Sequence, residues 1–337
     1  MMPGQILLKR IGYCATIVGL VVATALFAFA EPAQASPCQM GTLETLHLDL
    51  RLQAPIVEGS IDGHKLAALL DTGSSISALT RSFAERASLN LRPMNARVYG
   101  VGGRSEMFAT HVGRLEFGPL RAENIEMAVL GDVKNKGTDA IIGVNVLLSQ
   151  DLEMALAAGE VRVFLPVGCA KAFLAYWDRE ASSVPMENVS STDHRQIITV
   201  RVNGTNLRAL IDSGAFRTIM DTVTARLVGV TQDSSQIPTL KQTSGIGKRS
   251  VDFWVAPIHE VILGRETIKD TKIAVGDIFR GTLEDASVDT LSERNRLRPF
   301  DMILGQDFLK SHRVLFSMLQ DRFYFSYVGG RVFAVEP

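Results

Sequence analysis

One pattern occurs twice in this chain of 337 residues, and the repetition constrains the fold more than any single motif. The first copy, from Ile56, reads IVEGSIDGHKLAALLDTGSSISALT; the second, from Ile197, reads IITVRVNGTNLRALIDSGAFRTIMD. Each alternates apolar and polar residues, turns at Asp-Gly or Asn-Gly, and runs through an apolar stretch into Asp-Thr/Ser-Gly. Alternation on both sides of such a dipeptide predicts a β-hairpin. The match continues in the same order with VYGVGGRSEMF (98–108) against TSGIGKRSVDF (243–253), and DAIIGVNVLLS (139–149) against DMILGQDFLKS (301–311). A further hairpin pattern, DLEMALAAGEVRVFL against RVLFSMLQDRFYFSY, closes each copy.

Short runs of Val, Ile, Leu and Phe between Gly, Asn and Asp predict mostly strand, with short helices at 81–89 and 223–229. Two copies of one β unit predict an all-β, bilobal molecule with an approximate two-fold axis. The lobes are assigned to 36–174 and 196–337. The polar, Ser-rich stretch 175–195, interrupted by Pro185, reads as the linker. The offset between copies is 141 residues at the aspartates, 145 at the Gly-x-Gly turn and 162 at Gly143 and Gly305, so they part mainly after that turn. The second carries an insertion within 270–298, a charged stretch that reads as a surface loop or short helix.

The first 35 residues read as a targeting segment. Lys9 and Arg10 precede an apolar run from Ile11 to Ala30, and Ala33-Gln34-Ala35 fits a small-x-small cleavage site. Two readings stand: cleavage after Ala35 with release to the periplasm or outside, or an uncleaved inner-membrane anchor facing the periplasm. Either leaves Cys38 and Cys169 in an oxidising compartment, where two thiols suggest one disulfide; two unpaired small residues is the other reading. A net charge of −1 gives no reason to expect nucleic acid as a partner.

The repeated aspartates are the candidate chemistry. If the two-fold axis passes near both turns, Asp71 and Asp212 face each other. Burial and like charge then raise a carboxyl pKa until the pair holds one shared proton. The deprotonated member takes a proton from a bound water, and the protonated member donates to the carbonyl oxygen that the water attacks. That chemistry hydrolyses amides without a covalent intermediate. Gly73 and Gly214 allow a tight turn with N–H groups close to the carboxylates. Thr72 and Ser213 offer hydroxyls able to bond across to the opposite lobe. Ser74 is expected to donate to Asp71, whereas Ala215 has no matching hydroxyl.

With LLDTGSS and LIDSGA each followed by an apolar-apolar-Gly element, DAIIG and DMILG, the chain resembles the aspartic proteases over about 45–330. Single lobes look retropepsin-like, and their tandem order resembles pepsin-like enzymes. The resemblance implies the acid-protease fold, two homologous β-barrel-like lobes with few short helices, and a peptide or protein substrate. It implies catalytic roles for Asp71 and Asp212. The strands bracing the aspartate loops fall on Ile141-Ile142-Gly143 and Ile303-Leu304-Gly305. The flap falls on YGVGG, with Tyr99 in the place of the flap tyrosine and Gly100, Val101 and Gly102 at the tip. A second tip, Gly245, Ile246 and Gly247, has Ser244 where the first has Tyr99; two flaps are a retropepsin-dimer trait. Asp-Ser-Gly replaces Asp-Thr-Gly in the second copy and keeps the hydroxyl.

The expected activity is an exported aspartic endopeptidase, monomeric because both half-sites lie in one chain, needing no metal or organic cofactor. The rival from another class is a catalytically silent periplasmic peptide-binding or sensory module with the same fold. Membrane contact is expected only if the N-terminal segment stays attached. HEVIL at His259 lacks the second histidine of a zinc-protease helix, and GIGKRS at Gly245 lacks the first glycine and the Ser/Thr of a phosphate loop. Asp139 and Asp301, also repeated, read as turn braces.

Overall fold

Each lobe grows outward from the hairpin that carries its aspartate. The computed structural model describes residues 37–49, 54–117, 120–131, 133, 137–232, 239–242, 245–286, 290 and 297–333. The first lobe opens with β1 (Gln39–His47), then β2 (Ile56–Ile61) and β3 (His64–Leu70). Asp62, at φ 49°, takes the left-handed turn conformation that Asp tolerates better than a branched residue. β4 (Ala78–Thr80) follows the aspartate turn and feeds α1 (Arg81–Arg86), whose first turn is capped where Thr80 Oγ1 accepts from Phe83 N–H at 3.3 Å. Next come the hairpin β5 (Arg92–Gly100) and β6 (Gly103–Phe117), then β7 (Leu120–Leu130), β8 (Ala140–Ile142) and α2 (Val144–Leu147). A last hairpin, β9 (Asp151–Ala155) and β10 (Glu160–Val167), completes this half.

The stretch read as a linker holds β11 (Ser182–Pro185), β12 (Glu187–Ser190) and the start of β13 (Asp193–Val202). A Ser-rich composition does not prevent pairing here, because β11 is an edge strand and Pro185 closes it where the missing N–H costs little. The second lobe repeats the first with β14 (Thr205–Ile211), β15 (Ile219–Asp221), α3 (Thr222–Leu227) and β16 (Thr239–Gln242). It continues through β17 (Val251–Leu263), β18 (Glu266–Gly276), α4 (Arg280–Ala286), β19 (Met302–Leu304) and α5 (Gln306–Leu309). The hairpin β20 (His312–Ser317) and β21 (Arg322–Tyr327) ends it. The charged stretch from 270 is therefore strand as far as Gly276. Ile273, Ala274 and Val275 are buried there, β18 pairs with β17 and β15, and the polar residues around them face outward.

The strands of the first lobe run β2-β3-β8-β4-β7-β6-β5, and an added pairing of β2 with β6 closes a barrel. The second lobe runs β12-β13-β14-β19-β15-β18-β17-β16, brought round toward closure by a short pairing of β13 with β17. In both, a three-residue apolar strand lies between the strand before the aspartate and the strand after it. β8 is parallel to β3 and antiparallel to β4, and β19 stands likewise to β14 and β15. Buried on both faces, these strands are apolar throughout, AII and MIL.

A third sheet, β1-β10-β9-β20-β21-β11, joins the lobes. Its middle pairing sets Leu152 against Phe316 and Met154 against Val314, all fully buried. One apolar cluster runs through this seam from Ile61 and Val112 to Val200 and Val275, so the lobes share a core. A disulfide joins Cys38 and Cys169, tying the chain before β1 to the chain after β10. The fold is all-β and bilobal with a few short helices. Residues 1–36, where the expected targeting segment (1–35) falls, lie outside the described residues.

Candidate active site

Each aspartate is held by the strand beneath it. Asp71 N–H donates to Ile142 O at 2.9 Å and Asp212 N–H to Leu304 O at 3.0 Å. The glycine that follows each apolar strand continues the brace. Gly143 N–H donates to Ser77 Oγ at 3.0 Å and Gly305 N–H to Thr218 Oγ1 at 3.1 Å. Val144 N–H and Gln306 N–H then reach back to Ser74 O and Ala215 O at 2.9 and 2.8 Å. Asp139 and Asp301 hold the preceding strands, accepting from Ala67 N–H at 3.1 Å and Arg208 N–H at 2.8 Å.

The residues after the aspartates tie the lobes to each other. Thr72 N–H donates to Ser213 Oγ at 3.0 Å, and Ser213 N–H donates to Thr72 Oγ1 at 3.0 Å. The hydroxyls pass their own protons across as well, Thr72 to Ile211 O at 2.9 Å and Ser213 to Leu70 O at 2.7 Å. Thr72 and Ser213 are wholly buried. Gln306 supports the same point, its Nε2 donating to Ser213 O at 2.8 Å.

This crossing puts each carboxyl against the other lobe's glycine. A Cβ on Gly73 would overlap the Asp212 carboxyl, and one on Gly214 would overlap that of Asp71. Only hydrogen fits at either place. The two carboxyls thus lie side by side, close enough for the charge of one to act on the other. Both aspartates keep some contact with solvent, yet their carboxyls lie deep enough for desolvation to be the main influence on each. Burial, then the charge of Asp212, lifts Asp71 well above the usual carboxylate range. Burial also raises Asp212, but the N–H groups of Ala215 and Gly214 oppose it, both donating to its Oδ1 at 2.9 and 2.8 Å. Asp71 Oδ1 receives one such bond, from Gly73 N–H at 2.9 Å. Both carboxyls are thus raised, and the extra backbone donor on Asp212 makes its ionised form the better supported of the two.

The asymmetry differs from the expected one. Ser74 Oγ donates to Ile76 O at 2.8 Å rather than to Asp71, because its own turn offers a nearer acceptor. The extra donor sits in the other copy and is a backbone N–H, that of Ala215. A second asymmetry comes from Arg195, which the sequence reading placed in the linker. Its Nη1 donates to Gly73 O at 3.3 Å, and its charge favours ionisation of both aspartates. Asp193 grips the guanidinium at 2.9 and 2.6 Å, and Phe300 lies under it. The matching residue of the first copy is Ala54. That difference between copies was the available signal.

The two Gly-x-Gly tips meet one another. Gly102 N–H donates to Ile246 O at 2.9 Å, Arg249 N–H donates to Gly102 O at 3.0 Å, and Gly102 bridges Gly247. Their side chains cross over. Val101 packs with the second-lobe cluster that includes Phe279, Phe300 and Ala215, and Ile246 packs with the first-lobe cluster that includes Ile76 and Ile141. Both tips thus reach apolar residues beside the aspartate loops. Tyr99 is 37% exposed on β5, opposite Arg104, and Ser244 lies outside the described residues. Cys38 and Cys169 flank the paired strands β1 and β10 of the six-stranded sheet and form no part of this site.

A family model described as aspartyl protease matches residues 57–146 and again residues 198–308, one match in each lobe. No curated protein matched the chain.

Proposed function

Since the chain belongs to the aspartyl protease family, we propose that it hydrolyses peptide bonds with water activated between Asp71 and Asp212, outside the cytoplasm. The observation that carries this reading is the pair of facing carboxyls, each against the other lobe's glycine, one with two backbone donors and one with a single donor; we take the pair to share one proton, held by Asp71. Asp212, the better stabilised anion, accepts the proton of the attacking water. Asp71 donates its proton to the carbonyl oxygen as the tetrahedral centre forms, and the pair returns a proton to the leaving amine. The Gly73 and Gly214 peptides keep the carboxyl planes fixed, so little reorganisation accompanies the step.

The substrate is an extended peptide lying between the lobes beneath the crossed tips, gripped partly through its main chain as an added strand. Apolar side chains beside the cleaved bond suit the clusters around Val101 and Ile246. An oxidising compartment accords with the Cys38–Cys169 bridge. The test is digestion of a mixed peptide library by the purified protein, read by mass spectrometry at acid and neutral pH. Cleavage lost in both Asp71→Asn and Asp212→Asn is the expected result. Full cleavage by either variant refutes the dyad, and binding without cleavage at any pH by the parent chain identifies a peptide-binding module instead.

A further inference from the structure

The insertion of the second copy lies against the seam between the two tips. α4 has no counterpart among the described residues of the first lobe, and its Gly281 packs onto the first tip so tightly that a Cβ there would stand 2.7 Å from Gly103 Cα. One turn on, Asp285 faces both tips at once. Its Oδ2 accepts from Arg104 N–H of the first flap at 2.7 Å, and its Oδ1 accepts from Arg249 Nη2 of the second at 2.8 Å. Arg249 also reaches Gly281 O at 3.4 Å and Glu284 at 3.5 Å, while Glu284 pairs with Arg280 at 2.8 Å. Leu283, on the same helix, packs with the cluster that holds Val101. The Arg249 side chain keeps the Asp285 carboxyl below the usual carboxylate range, so it is charged through mildly acid pH.

Three elements distant in sequence therefore converge on one carboxylate. The tips already share two backbone bonds, Gly102 to Ile246 and Arg249 to Gly102, and these open only if the tips part. A side chain that holds Arg104 and Arg249 together resists that parting directly. We propose that Asp285 is a positioning residue of the reaction, clamping the two flaps into one lid through the Arg104 N–H and the Arg249 guanidinium, so that substrate enters and leaves as the clamp opens. The consequence for peptide hydrolysis rests on the Asp71/Asp212 reading; the clamp itself does not.

The physics separates rate from affinity. A clamp that exists in the free chain and re-forms over a bound peptide cancels from the binding equilibrium, and it remains in the barrier to entry and exit alike. Asp285 and Arg249 are partly exposed, at 21% and 43%, so the clamp is weaker than a buried ion pair.

The experiment uses the full chain carrying Asp212→Asn, which prevents self-cleavage, and follows amide hydrogen exchange at Gly102, Arg104 and Arg249. With Asp285→Ala, exchange at these amides should quicken roughly three- to tenfold, while amides of β3 keep their rates. Asp285→Asn keeps the shape and covers any unfolding caused by the alanine. Arg249→Met should give the same pattern at Gly102, with little added by combining it with Asp285→Ala. Unchanged exchange at Gly102 and Arg249 in a folded Asp285 variant overturns the clamp. A fluorescent statine-containing peptide, added to chains that keep Asp212, then tests the consequence: association and dissociation should quicken together with the affinity held within roughly twofold. If that peptide fails to bind any form while exchange responds, the clamp stands and the protease reading fails. If it binds at an unchanged rate in a folded Asp285→Ala chain, the role assigned to Asp285 is overturned.

Discussion

The crossed hydroxyls of Thr72 and Ser213 make a prediction whose size follows from the bonds they hold. Ser213→Ala removes one oxygen and strands two groups, the Thr72 N–H and the Leu70 carbonyl. Thr72→Val, close in shape, strands the Ser213 N–H and the Ile211 carbonyl. Both side chains are wholly buried, so water cannot take the vacated place without displacing packed atoms. Each stranded buried group costs about 1–3 kcal/mol, so either substitution should cost about 2–6 kcal/mol. Against a total stability of roughly 5–15 kcal/mol, that is a large fraction. Thr72→Ser keeps every bond and should cost about 1 kcal/mol or less; the second copy already uses serine at this place. Urea unfolding followed in parallel by fluorescence and circular dichroism gives the values, with coincident transitions as the check on two-state behaviour. Ser149→Ala serves as control, since its bond to Val146 O is exposed. If Ser213→Ala and Thr72→Val each cost less than about 1 kcal/mol, the reasoning about stranded groups is wrong.

Two further predictions concern protons. The pKa values of Asp71 and Asp212 are raised by folding, so the folded chain binds protons more tightly than the unfolded one. The stability this contributes is full below the ordinary Asp value, about 3.9, and is lost as pH rises through the raised values. Asp71→Asn should therefore raise the melting temperature at pH 7 and lose that advantage in strong acid; equal effects at both pH values would rule out a raised pair. Arg195→Met removes a cation that favours both ionised carboxyls and leaves Asp193 unpaired nearby, so both limbs of the kcat/KM–pH profile should move to higher pH. A profile that stays in place removes Arg195 from the electrostatics of the pair.

Much of this site could be read from the sequence because duplication displays the same demands twice. A hydroxyl after each aspartate, an apolar triplet ending in glycine, and an Asx-Gly turn are needs of local backbone, and both copies answer them at matching places. Ser77 and Thr218, with Asn145 and Asp307 beside them, also match. Ser77 Oγ donates to Asn145 Oδ1 at 2.9 Å and Thr218 Oγ1 to Asp307 Oδ1 at 2.7 Å, a brace open to the same comparison. Features set by assembly were not legible. Arg195 sits in a polar stretch, and its charge gains meaning when β13 brings it over Gly73 of the other lobe. The crossing of Val101 and Ile246 requires both lobes in place. The buried run Ile273–Val275 was hidden because its charged neighbours, Asp270, Lys272 and Asp277, read as a loop.

The departures between the copies carry as much information as the matches. A symmetric pair of half-sites would offer each carboxyl the same donors, and the shared proton would have no preferred oxygen. Here the donor count differs by one backbone N–H, because the Ala215 peptide turns toward Asp212 whereas Ser74 N–H is spent on Asp71 O at 3.2 Å. A cation borders the pair from the second lobe, where the first offers alanine. The helix that grips both tips comes from the second copy, with no match among the described residues of the first. Each difference acts on the line where the lobes meet, and none alters the strands that set the aspartates opposite each other. Duplication thus supplied two equivalent carboxyls, and differences confined to their surroundings make them unequal, as the proposed division of the pair into acid and base requires.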